Sequence, residues 1–164
     1  MMRYSIDGRW SKMEAQAPDV LAMVHLIMLS LWGGVVATEA VVELYPFRRK
    51  ELHPAAIRFH YWIDLLVELP LVLAVIATGT ALALSMDALS GLHWVKILLG
   101  ATAVSINLFC IIVVVRRGRR LDRDDSPEPL WRASRIVLAC FVLGLLAAAG
   151  AATLGFRFAL ERVG

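Results

Sequence analysis

The sequence predicts an all-α polytopic membrane protein: a single up-down-up-down bundle of four transmembrane helices with both termini outside. Three observations carry this. Of its 164 residues 59% are hydrophobic, and the mean hydropathy is +0.68, the composition of a membrane protein. Four stretches, about 19–44, 59–84, 93–115 and 134–156, approach or exceed the roughly 20 apolar residues a span needs. Basic residues alternate between the links. Arg48, Arg49, Lys50 and Arg58 lie between spans one and two, and Arg116, Arg117, Arg119, Arg120, Arg123, Arg132 and Arg135 between spans three and four. The link at 85–92 has none. The positive-inside rule places both basic links in the cytoplasm of a cytoplasmic (inner) membrane protein.

Each element has its own signal. The polar, mixed-charge first 18 residues lack a short apolar core and a small-residue cleavage site, so span one reads as retained. Pro46 and Pro54 bracket the first link, and helix one is expected to stop by Tyr45. Pro70 falls inside span two and predicts a kink that frees a carbonyl near Leu66. Gly33, Gly34, Gly79 and Gly100, with the small residues at 147–152, allow close helix approach. The link after span three, with Asp124, Asp125, Pro127 and Pro129, reads as a solvated loop, and His53 as solvated beside Pro54. Trp10, Trp62, Trp94 and Trp131 fit an interfacial belt. Cys110 and Cys140 read as small apolar residues, since a disulfide would lie on the reducing side.

The basic residues are juxtamembrane and lack an aromatic-interleaved soluble module, which leaves nucleic-acid binding without support. No Walker loop, G-x-S-x-G elbow, C-x-x-C-H or H-E-x-x-H occurs, which leaves covalently attached haem, hydrolase and nucleotide-driven pump readings with little standing.

Charges inside the spans point to function, because ionisable groups in hydrocarbon are costly. At the outer side His25, His93 and Lys96 reach a common layer. Two histidines on facing helices suit axial ligation of haem, and they equally suit plain interhelical hydrogen bonds. At the cytoplasmic side Glu43 is level with His60 and Glu39 with Asp64, and Glu68 lies about a turn deeper. Four carboxylates and an imidazole cannot all be charged in apolar surroundings. Three readings follow: a site for iron, manganese or zinc, a proton or substrate relay, or ion pairs in which Arg58, Arg132 and Arg135 reach Glu43, Glu39 and Asp64. Asn107 and Ser105 read as interhelical hydrogen-bonding groups.

His25, followed seven residues on by Trp32-Gly33-Gly34, resembles the first span of the CopD family of copper-resistance proteins and of the HemJ-type protoporphyrinogen oxidases. Pro70 with Thr78-Gly79, and Gly91-Leu92-His93-Trp94-Val95-Lys96, extend the likeness over three spans. The His-to-Lys spacing is one residue longer than HemJ's, and the inner acidic set has no HemJ counterpart. The resemblance implies a haem b protein held by His25 and by His93 or Lys96. Its activity would be electron transfer or membrane oxidoreductase chemistry, with proton uptake by the inner cluster. The alternatives are haem-free metal-ion transport or handling through Glu39, Glu43, His60, Asp64 and Glu68, and an accessory subunit of a larger membrane complex. Beyond the lipid bilayer, a redox partner and a homo-oligomer are both compatible with the sequence.

Overall fold

The computed structural model describes residues 7–44, 50–86, 88–123 and 127–163, with side chains placed for 20–44, 51–86, 88–123 and 132–157. All of the secondary structure described is helical. Helix α1 is Asp7–Leu44, and a 3₁₀ turn (Lys50–Leu52) leads into α2, His53–Leu84. Helix α3 is Gly91–Leu121 and α4 is Pro127–Val163. Among the described residues, four segments are long and apolar enough to cross a membrane: Val20–Leu44, His53–Leu84, Gly91–Leu121 and Arg132–Arg157.

Side-chain contacts fix the antiparallel register. On α1 and α2, Glu43 meets His60, Trp32 meets Glu68 and His25 meets Thr78. On α3 and α4, Arg117 meets Ser134, and Cβ atoms at Gly144 and Gly150 would lie 3.6 Å from Ile106 and 3.2 Å from Leu99. The small residues of α4 therefore do bring it close to α3. Two apolar clusters hold the centre: Cys110, Val114, Val137, Cys140 and Phe141, and Trp32, Val72, Val75 and Ala103. Leu66, Leu84, Leu143 and Leu146 face outward, where lipid would cover them.

Three features depart from the sequence expectation. Helix α2 begins at His53 rather than near residue 59, because Pro54 takes a first-turn position, where its fixed φ and missing N–H cost nothing. His53 is consequently buried, not solvated. The link after α3 shrinks likewise: α3 continues through Arg120 to Leu121, and α4 opens on Pro127. The tension expected at Pro70 is absorbed just upstream by a π turn, Asp64–Glu68, in which the Leu69 N–H bonds to the Asp64 carbonyl, five residues back. A widened turn relieves the clash between a proline ring and the carbonyl four residues before it. It also sets the two carboxylates at its ends, Asp64 and Glu68, toward the bundle interior, where both are buried.

Candidate metal centre

The inner cluster is assembled at the basic end of the bundle from all four helices. Its focus is the His60 imidazole, which is 1% exposed and stacked on Phe141 with ring centroids 5.7 Å apart. On one side of the ring, Nδ1 lies 3.1 Å from Glu43 Oε2 and 3.3 Å from Arg117 Nη2; a carboxylate oxygen only accepts, so Nδ1–H is the donor to Glu43. Glu43 is held in turn by Arg117, whose Nη1 and Nη2 donate to its two oxygens at 2.5 and 2.8 Å. Arg117 Nη1 also donates to Ser134 Oγ at 2.9 Å, and Ser134 Oγ lies 3.1 Å from His53 Nε2. A two-pronged guanidinium–carboxylate pair is the geometry that makes a buried ion pair tolerable.

The other side of the ring is different. Nε2 lies 3.3 Å from Asp64 Oδ1 and 3.7 Å from Glu39 Oε2, yet none of these atoms makes an aligned hydrogen bond. Both oxygens of Glu39, both of Asp64 and His60 Nε2 are buried without a hydrogen-bond partner. One ligand-type atom from each of Glu39, His60 and Asp64 falls within 4.8 Å of the others. Such a convergence of acceptors with no donor is unfavourable unless a cation or protons supply the missing positive charge.

Glu68 adjoins this group beside Asp64 and has neutral donors of its own. Its Oε1 accepts from Trp32 Nε1 at 3.1 Å and from Asn107 Nδ2 at 2.5 Å. Asn107 thus does bond another helix, as its residue type suggested. The expected ion pairs take another form. Arg58 pairs with Asp122 at the surface, Arg132 and Arg135 are exposed, and the guanidinium that enters is Arg117, on Glu43. Cys110 and Cys140 are free and buried, as expected.

The outer residues lie on two helices, His25 on α1 and His93 and Lys96 on α3. His25 Nδ1 lies 2.7 Å from Thr78 Oγ1 on α2, and the Thr78 hydroxyl donates to the Ala74 carbonyl. The oxygen is therefore the acceptor for an Nδ1–H, which leaves the lone pair of His25 on Nε2. Gly79 makes room for the ring: a Cβ there would lie 3.0 Å from His25 Cε1. His93 Nδ1 bonds Ser90 Oγ at 2.7 Å on its own helix, and Lys96 lies against Gly155 of α4.

Arg117, Ser134 and His53 are the site residues that the sequence reading missed. Asn107, Cys110, Val114 and Arg117 form one buried helical stripe, so following the helical period on from Asn107 and Cys110 by two turns reaches Arg117. No protein-family model, curated protein or solved structure matches the chain.

Proposed function

We propose that the chain is a metal-binding protein of the inner membrane that holds a divalent iron, manganese or zinc ion with Glu39, His60 and Asp64. The observation that carries this is the convergence of three buried ligand groups whose inward atoms make no aligned hydrogen bond. Metal–ligand bonds of about 2.0–2.2 Å at tetrahedral angles put neighbouring donor atoms roughly 3.3–3.6 Å apart. The spacings from His60 Nε2 are 3.3 and 3.7 Å.

Charge supports the same reading. Two carboxylates and a neutral imidazole balance a divalent ion, and Glu43 balances Arg117, so neither unit leaves net charge in hydrocarbon. Glu43 is then the orienting carboxylate of a carboxylate–histidine–metal arrangement, fixing the tautomer that turns Nε2 inward. Three protein ligands leave a coordination position open, the pattern of sites that exchange or transform something rather than brace a fold. Glu68, which accepts from two neutral donors, would hold a proton beside that position. The test is metal content of protein purified without chelator. Near-stoichiometric metal, lost in Glu39→Ala and in Asp64→Ala, supports the assignment, and metal-free wild-type protein refutes it.

Haem b at the opposite end is a second reading, supported by the Thr78 bond that leaves the His25 Nε2 lone pair and by the Gly79 cradle. His25 would hold the iron, with His93 or Lys96 of α3 as the candidate second ligand, and the group would supply one-electron chemistry when bound. A Soret band that shifts on reduction and disappears in His25→Ala supports it. A colourless preparation refutes it and leaves the inner site untouched.

A further inference from the structure

The exposed arginines at the basic end of the bundle fall into a pattern on α3 and α4. These helices run antiparallel, with Arg117 meeting Ser134 and Ile106 lying against Gly144. In that register Arg120 is level with Arg132, Arg116 with Ile136, and Phe109 with Leu143. Phe109, Arg116 and Arg120 are seven and four residues apart, and Arg132, Ile136 and Leu143 four and seven, so each trio shares one helix face. All six side chains are exposed. Counted round each helix from the residues at the α3–α4 contact, both trios turn to the same flank of the pair, away from α1 and α2. That flank is basic at its cytoplasmic end and apolar below.

Depth suits a lipid headgroup. The mostly apolar stretch 97–115, rising about 1.5 Å per residue, nearly crosses the roughly 30 Å hydrocarbon core. Arg116 therefore comes at the edge of the core, and Arg120 with Arg132 about 6 Å further out. Among the described residues no carboxylate pairs with these three guanidinium groups. Glu43 takes Arg117 in the interior, and Asp122 is turned to Arg58 of α2. A guanidinium keeps its charge, and its planar fork matches two oxygens of a phosphate at once. Setting the orientation of the chain requires positive charge on this side, but not three arginines gathered above an apolar strip.

We infer that this flank is a binding site for an anionic phospholipid of the cytoplasmic leaflet. Its phosphodiester would lie among Arg116, Arg120 and Arg132, with an acyl chain along Ile136, Phe109 and Leu143. A soluble anion would leave that apolar half of the site unused. The inference does not rest on the metal assignment, since none of these residues touches Glu39, His60 or Asp64.

The test titrates the full chain in neutral detergent with phosphatidylglycerol or with phosphatidylcholine of the same acyl chains, and reads bound lipid by native mass spectrometry. The expected result is one phosphatidylglycerol per chain, held roughly tenfold tighter than phosphatidylcholine. Arg120→Gln is expected to weaken it about fivefold, and the Arg116→Gln/Arg120→Gln/Arg132→Gln variant about a hundredfold. Arg119 and Arg135 are also exposed but turn off this flank, so Arg119→Gln/Arg135→Gln is expected to change binding less than about twofold. Equal binding of the two lipids, or of neither, overturns the proposal. So does an equal loss in the Arg119/Arg135 variant, which would mean diffuse attraction to the whole basic end. Displacement of the lipid by inorganic phosphate would reveal a headgroup-only anion site and overturns it too. All five arginines are exposed, so these substitutions leave the packing of the bundle intact.

Discussion

Replacing Glu43 by Gln removes one charge from the inner cluster and tests two roles at once. In the wild type Glu43 accepts two bonds from Arg117, at 2.5 and 2.8 Å, and one from His60 at 3.1 Å. Arg117 is 1% exposed, so loss of the carboxylate leaves a guanidinium buried with no counter-charge on that side. Removing one partner of a buried pair costs about 3–5 kcal/mol. The amide is also a weaker acceptor for the His60 Nδ1–H, and loss of such outer-shell partners lowers metal affinity about 10–100-fold. A second variant separates the effects. In Glu43→Leu/Arg117→Met the pair is replaced by apolar groups, which is often neutral or stabilising for a buried ion pair. The double variant is therefore expected to recover most of the lost stability while keeping the affinity defect, because His60 still lacks its orienting acceptor. Stability would be read from unfolding followed by tryptophan fluorescence in detergent, and affinity from competition with a metal-indicator dye. Recovery of both quantities in the double variant would refute the orienting role of Glu43.

Other consequences are simpler. A Cβ on Gly118 would lie 2.7 Å from Tyr61 Cδ2 and 3.1 Å from Cγ, so Gly118→Ala must push α3 from α2 beside Arg117 and His60. It is expected to cost about 1–3 kcal/mol, measured by the same unfolding assay, with metal affinity reduced in parallel. Trp32→Phe takes one of two donors from buried Glu68, and the expected loss is about 1–3 kcal/mol, partly relieved by Glu68→Gln in the same chain. Arg58→Ala removes an ion pair to Asp122 whose side chains are 68% and 67% exposed, and a change below about 1 kcal/mol is expected.

The membrane helices were legible because hydropathy, proline and basic residues are local signals. Depth counting along antiparallel helices also worked where it needed only 1.5 Å per residue: Glu43 does meet His60, and Glu39, Asp64 and His60 do converge. What escaped was governed by neighbours distant in sequence. Arg117 sits in a run of arginines whose other members are exposed, and only the packing of α3 against Glu43 and Ser134 distinguishes it. His53 was misread because a proline that ends one helix can equally begin the next. The partners of Glu68 escaped because they are an indole and an amide, donors carrying no charge to flag them. Pro70 marked a distortion correctly, but the choice of a π turn over a simple kink depends on tertiary packing.

X-ray absorption at the K edge of whichever metal co-purifies tests the central claim most directly. The account predicts one imidazole nitrogen and two carboxylate oxygens at about 2.0–2.2 Å, with the imidazole signature absent in His60→Ala. A first shell of water oxygens only, or one unchanged in His60→Ala, would contradict it.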